Sequence, residues 1–241
     1  MESLDMDMID IVYFVKESNR NEELVYSLRS LKNFFPNKEK RVIFIGGWPL
    51  NLRPDFYIDV FQNQGSKYGN VHKMMEIVAT NPNINKEFFL FNDDFFINQE
   101  ITEWKPQNRG SLYKYIVDIE NRHGFSSYTI RLRKMINALD SEKKTTYNYE
   151  LHIPMKINKE KLKKVLRHYG TLNGVRSLYG NNYFKNTTER NDVKVYDLDQ
   201  TFDKDSDYLS TDDITWKRHD IGDYIRNKFV EPSRFEIEEN I

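Results

Sequence analysis

At 241 residues the chain is long enough to bury one large core and too short for two full domains. An apolar share of 39% and an aromatic share of 14% offset chain entropy, so the mean hydropathy of −0.75 describes a heavily charged surface. With no cysteine, disulfide scaffolds and thiolate chemistry are excluded, and a hard, oxygen-bound cation is the natural metal. The net charge of −1 conceals a basic middle, where residues 101–190 hold 18 Lys and Arg against 8 Asp and Glu, and an acidic tail, where residues 191–241 hold 7 against 14; a tail that packs on the middle neutralises it, whereas a free basic middle attracts phosphates or nucleic acid.

The chain opens on acids, Met1 to Asp10, where a secretory leader carries bases and an apolar stretch, and no run reaches the roughly 18 apolar residues of a membrane helix; a cytoplasmic protein is expected. Ile9 to Val15 (IDIVYFV) suits a strand buried on both faces. A helical stripe follows at Leu24, Val25, Leu28, Leu31 and Phe35, with Asn19 as N-cap, Glu22 at the capping-box position and Pro36-Asn37 as its stop. Arg41 to Ile45 (RVIFI) is a second strand, turned by Gly46-Gly47-Trp48-Pro49, and strand, helix, strand in this order predicts a parallel α/β sheet. Val71, Met74, Met75 and Val78 mark a helix capped by Asn70 and stopped by Asn81-Pro82.

Phe88 to Phe91 (FFLF) is a third apolar strand that runs into Asn92-Asp93-Asp94 and then Phe95-Phe96-Ile97. Helices are expected at 111–122 and 127–139. Leu151 to Ile157 (LHIPMKI) reads as an edge strand interrupted by Pro154, and Asn158 caps a helix that carries Leu162, Val165, Leu166 and Tyr169 and ends before Gly170. Residues 190–213 are polar and acidic. A short helix over 221–229 closes the pattern before Pro232.

Ligands of open parallel sheets gather at the carboxyl ends of the strands, so the acid turn is the first candidate site. An isolated Asp-Asp pair is most often a cap or a solvated turn, but burial between FFLF and FFI argues against that here. A transferase that uses a nucleotide sugar must hold a diphosphate, commonly through a divalent cation gripped by carboxylates. On this reading Asp94 is a metal ligand, Asp93 a second ligand or an acceptor for sugar or ribose hydroxyls, and Asn92 a neutral hydrogen-bonder. Asn70, His72 and Lys73 open a helix after Gly65-Ser66-Lys67-Tyr68-Gly69, the kind of N-terminus that binds phosphate; a capped surface helix explains them equally well. His152 can be a general base, a covalent nucleophile, a metal ligand or a structural residue. Asp203, Asp205 and Asp207 begin like a calcium loop, but Tyr208 and Ile214 stand where glycine and glutamate are required, so this is a solvated loop.

NEELVYSLRSL (Asn21 to Leu31), RVIFIGG, GNVHKMMEI and FFLFNDDFFI, with ELHIPMKINKEKL (Glu150 to Leu162) further on, resemble the Stealth family of sugar-1-phosphate transferases, which includes bacterial capsule enzymes and the eukaryotic GlcNAc-1-phosphotransferase. The resemblance spans most of residues 9–165, and the strand followed by Asn-Asp-Asp-Phe is its most specific part. It implies a GT-A-like fold, a UDP-sugar donor and a divalent cation, Mn²⁺ or Mg²⁺. It implies further that Asn92, Asp93 and Asp94 line the active site, that His152 is catalytic and that Arg176 meets phosphate. The first strand departs from the family, with Phe14-Val15-Lys16-Glu17 in place of Trp-Val-Asp-Gly.

The expected organisation is one GT-A-like catalytic domain over 1–241, with 1–105 binding the nucleotide sugar and 106–241 facing a glycan or other hydroxyl acceptor. Transfer of a sugar and transfer of a phosphosugar both remain open. Two other expectations stand beside it: a phage-type DNA glycosyltransferase acting on hydroxymethylated bases, its strand held by Tyr169, Tyr179, Tyr183 and Phe184, and a non-catalytic carbohydrate- or nucleotide-binding module.

Overall fold

The computed structural model describes residues 8–62 and 66–237. In chain order the elements are β1 (Ile9–Val15), α1 (Glu22–Ser30), β2 (Lys40–Gly46), β3 (Phe56–Asp59), α2 (Lys67–Thr80), β4 (Glu87–Asn92), β5 (Phe95–Ile97) and β6 (Gln107–Asn108). They continue with α3 (Leu112–His123), α4 (Ser127–Ser141), β7 (Met155–Asn158), α5 (Lys159–Tyr169), α6 (Val175–Tyr183), β8 (Thr188–Glu189), β9 (Tyr208–Ser210), α7 (Asp213–Arg218) and α8 (Asp220–Lys228).

Five strands form the central sheet in the order β3-β2-β1-β4-β7, all parallel except β7, which runs antiparallel to β4 on the edge. The α/β class with a mostly parallel sheet flanked by helices is therefore the one the sequence predicts. Successive side chains of a strand point to opposite faces, and both faces here are covered. Val12 and Phe14 of β1 join Ile43, Ile45, Phe88 and Leu90 beneath α2 and α3 to α6, while Ile11, Tyr13 and Val15 join Phe89 and Phe91 beneath α1. This is why the strands read as unbroken apolar runs, and each large side chain so buried contributes about 1.5 to 3 kcal/mol.

A smaller unit packs beside the sheet. Strand β5 pairs antiparallel with β9, and Phe96 stacks on Trp216 of α7 at 5.7 Å and 7°, with Ile221, Ile225 and Phe229 completing its core. The Trp216 indole donates to Glu22 at 2.8 Å, which fastens this C-terminal unit to the start of α1.

Several boundaries differ from those the sequence predicts, each for a local physical reason. The N-cap of α1 is Asn21 rather than Asn19, because the Asn21 amide serves two partners: Oδ1 accepts from the Leu24 amide at 3.0 Å and Nδ2 donates to Asp93. Helix α2 begins at Lys67 behind the cap Ser66, whose Oγ accepts from the Gly69 amide. Asn70 and Lys73 therefore lie inside the helix rather than opening it, Lys73 is exposed, and Gly65 falls outside the described residues. The strand expected over Leu151 to Ile157 is confined to β7, since Pro154 ends the ladder, and His152 lies in the bend before it. Strand β3 and helices α6 and α7 went unpredicted. Gly46 is required where β2 ends: its φ is 108°, and a Cβ would stand 2.5 Å from the Val15 carbonyl oxygen.

Candidate active site

Strands β1, β2 and β4 release their chains on the same edge of the sheet, and the acid turn leaves β4 there, with Asn92 in register with Phe14. Around that turn the fold gathers side chains from distant parts of the sequence. Asp93 Oδ2 accepts from Asn21 Nδ2 at 2.7 Å, and Asp94 Oδ2 is ion-paired with Lys194 Nζ at 2.6 Å, a contact in which both side chains are largely buried. Asp94 Oδ1 is buried with no hydrogen-bond partner. Glu23, in the first turn of α1, accepts from Thr211 Oγ1 at 2.5 Å.

Burial raises the Asp93 carboxyl to about 6, helped by the neighbouring Asp94 charge and opposed by the Asn21 hydrogen bond. Burial likewise raises Glu23 to about 7; the Thr211 hydrogen bond works against it, and the Asp94, Asp93 and Asp213 charges add to it. Burial alone would discharge Lys194, but the charge and hydrogen bond of Asp94, with Glu23 and Asp212 behind it, outweigh burial and hold the ammonium above its ordinary range.

Phe95, the residue after the turn, links it to a second group. The His152 ring meets the Phe95 ring edge-on at 6.1 Å and the Tyr196 ring at 5.9 Å. His152 Nδ1 lies 2.8 Å from Asp192 Oδ2, and the His152 amide donates to Asp192 Oδ1 at 3.0 Å, so one carboxylate fixes both the backbone and the ring. Burial pushes the Asp192 carboxyl up, but His152 and Arg109, at 3.2 Å, outweigh it and hold the group at about 2. A ring whose Nδ1 is held by a carboxylate presents Nε2 as its free nitrogen, the arrangement of a general base. The flanking Leu151 and Ile153 are buried, whereas the His152 side chain stays partly exposed.

Arg176, expected at a phosphate, is buried. Its Nη2 donates to the Ile153 carbonyl at 2.5 Å, its guanidinium lies 5.6 Å over the Phe95 ring and its Nε has no hydrogen-bond partner; burial lowers its pKa, against the Glu150, Asp192 and Asp94 charges. It thus steadies the residue after His152. Asn70 and Lys73 lie on α2, where Asn70 Nδ2 reaches the Gln62 carbonyl at 3.4 Å and Lys73 is exposed.

A divalent ion between Asp93 and Asp94 needs free oxygens turned toward one point. Asp94 Oδ1 has no partner, but Oδ2 is held by the Lys194 ammonium and Asp93 Oδ2 by Asn21, so a divalent ion here would stand against a seated positive charge and the pair as arranged does not fit one. Among the described residues no three His, Asp or Glu side chains form a group of the kind that holds a metal.

Sequence reasoning missed Asp192, Lys194, Glu23 and Tyr196. The first two lie in the stretch read as acidic loop. The pattern Val193-Lys194-Val195-Tyr196 alternates apolar and polar residues, a period-two signal that residues on one side are buried, and Val195 is. The tail's charges pair with both halves, Asp192 with Arg109 and Glu236 with Arg29, so it neutralises the middle only in part. The rings proposed to hold a DNA strand are committed elsewhere: Tyr169 and Tyr179 are buried in the core, with Tyr183 and Phe184 packed against it.

The chain matches no protein-family model and no curated protein sequence. Among solved structures it is similar to galactosyltransferase LgtC in complex with donor and acceptor sugar analogues, at 11% identity over 76% of this chain and 73% of that one with a TM-score of 0.44, and equally to an active-site mutant of that enzyme. It is also similar to the glycosyltransferase GlyE of Streptococcus pneumoniae TIGR4, at 9% identity over 93% of this chain and 50% of that one with a TM-score of 0.32. Nothing about this chain's chemistry follows from likeness at that level. No helix among the described residues is long and apolar enough to cross a membrane.

Proposed function

We propose that this chain is a glycosyltransferase of GT-A-like layout that moves a sugar from a UDP-sugar to a hydroxyl acceptor. One observation carries the reading: an acid turn at the carboxyl end of a parallel strand shares one site, across the Phe95 ring, with an ammonium and with an imidazole aligned by a carboxylate. Residues 1–105 supply the donor side, through Asn92, Asp93 and Asp94, and residues 106–241 supply the acceptor side, through His152 and Asp192.

In this mechanism the acceptor hydroxyl attacks the anomeric carbon and gives its proton to His152 Nε2. The bond between that carbon and the β-phosphate oxygen breaks, and UDP leaves. Asp192 keeps the imidazole in the tautomer that accepts at Nε2 and stabilises the imidazolium that forms. Asp93 accepts a hydrogen bond from a hydroxyl of the donor, and Arg176 acts on the base indirectly, through the Ile153 carbonyl. The Stealth resemblance keeps a phosphosugar version in play, in which the hydroxyl attacks the β-phosphorus and UMP leaves. It also implies a divalent cation, a role for which Lys194 competes.

Incubation with UDP-sugars labelled in the sugar and in the β-phosphate tests the proposal. Release of UDP supports sugar transfer and release of UMP supports phosphosugar transfer. If no donor is consumed and Asp94→Asn leaves nucleotide affinity unchanged, the enzyme reading fails and a binding module is left.

A further inference from the structure

We propose that Lys194 is the cation that receives the donor's diphosphate, so that this transferase works without a divalent metal ion; the inference rests on the nucleotide-sugar reading above. The ammonium sits where that reading requires positive charge. It is 2.6 Å from Asp94 Oδ2, on the carboxyl edge of the sheet, with its side chain 11% exposed. Its backbone is fixed on both sides: Lys194 bridges to Ser210, the Val195 amide donates to the Ser210 carbonyl at 3.0 Å, and the Lys194 carbonyl accepts from Gln200 at 3.1 Å. This is a seated charge rather than a surface lysine free to swing.

The charge balance argues the same way. A diphosphate entering beside this acid cluster meets like charge unless a cation intervenes. Two other cations whose contacts place them near the site are committed: Arg109 to Asp192 and the Tyr115 ring, Arg176 to the Ile153 carbonyl. Among the described residues the cation seated on the acid turn is Lys194. An ammonium has three N–H donors, so engagement by Asp94 leaves two for phosphate oxygens. A divalent ion held by the same carboxylate would stand within a few ångströms of that ammonium and repel it. Asp94 is then the group that orients Lys194. During transfer the bond from the anomeric carbon to the β-phosphate oxygen breaks, its electron pair stays on that oxygen, and Lys194 donates a hydrogen bond to the charge that develops there. The acceptor's proton meanwhile passes to His152.

The test is calorimetric titration with UDP of the native protein and of Lys194→Met, each in EDTA and in Mn²⁺. Native protein is expected to bind UDP in EDTA, with little change when Mn²⁺ is supplied. Lys194→Met in EDTA should bind about 10- to 100-fold more weakly, the value of a hydrogen bond to a charged group. If Lys194→Met does not fold because Asp94 is left unpaired, Lys194→Met/Asp94→Asn removes both charges and should show the same loss in EDTA. Native protein that binds UDP only with Mn²⁺ overturns the inference and leaves the nucleotide-sugar reading standing. So does a folded lysine variant that binds in EDTA as tightly as native. Native protein that binds neither UDP nor other nucleoside diphosphates in either condition sinks both.

Discussion

Two carboxylate centres are linked through the Phe95 and Tyr196 rings, and their environments drive them in opposite directions. At the acid turn, Asp93 shares a confined space with Asp94 and Glu23, and burial with mutual repulsion raises it to about 6, with Glu23 at about 7. At the dyad, Asp192 is buried too, but an imidazole, a guanidinium and a backbone amide outweigh burial and keep it ionised down to about pH 2. Burial is common to both, so the neighbours decide. One centre is short of positive charge, with Lys194 the cation seated on it. The other is internally balanced and holds an imidazole in one orientation.

The comparison can be broken at either centre. Asp93→Asn and Asp94→Asn should each abolish detectable transfer, Asp93→Asn with a melting temperature close to native and Asp94→Asn with a lower one, because it leaves the Lys194 ammonium without its partner; turnover assays on the folded variants check this, and near-native activity in either would remove the acid turn from the mechanism. His152→Ala should lower turnover about 10²-fold or more with UDP affinity retained. A structural histidine predicts the reverse, a lower melting temperature with normal kinetics in the folded fraction. Asp192→Asn keeps the shape of the carboxylate but weakens its hold on the ring, and is expected to cost about 10- to 100-fold in turnover with KM little changed.

The smallest effect concerns stability. Glu23 and Asp93 have pKa values raised by folding, so between the ordinary carboxylate range and about 7 the folded chain binds more protons than the unfolded one. Their contribution to stability is therefore present in acid and lost as pH rises through that window. Glu23→Gln keeps an oxygen for the Thr211 hydrogen bond and cannot ionise. Thermal melts should show it gaining on the native protein from pH 5 to pH 8, and a constant difference across that range would remove Glu23 from the electrostatic account.

The N-terminal half was legible because its signals are local. IDIVYFV, RVIFI and FFLF are continuous apolar runs since helices cover both faces of the sheet, and the acid turn stands out because it interrupts phenylalanines. The helix over Lys159–Tyr169, with its cap at Asn158 and Gly170 beyond, follows the predicted pattern for the same reason. Asp192 and Lys194 were hidden because their partners are tertiary: His152 and Asp94 come from other elements, and an acidic stretch carries no mark of which charges will be buried. The misplaced cap of α1 follows the same logic, since Asn21 wins over Asn19 by reaching Asp93, a contact no local rule contains. Arg176 was marked for phosphate by resemblance, and the fold turns it to a carbonyl instead.

The most direct test of the account is to measure UDP affinity and donor turnover on the same purified samples of native protein, Asp93→Asn and His152→Ala. If donor binding and proton transfer are separate parts of one site, Asp93→Asn loses affinity by about 10- to 100-fold together with turnover, whereas His152→Ala keeps native affinity and loses turnover alone. Native turnover in folded His152→Ala, or native affinity and turnover in folded Asp93→Asn, would contradict it.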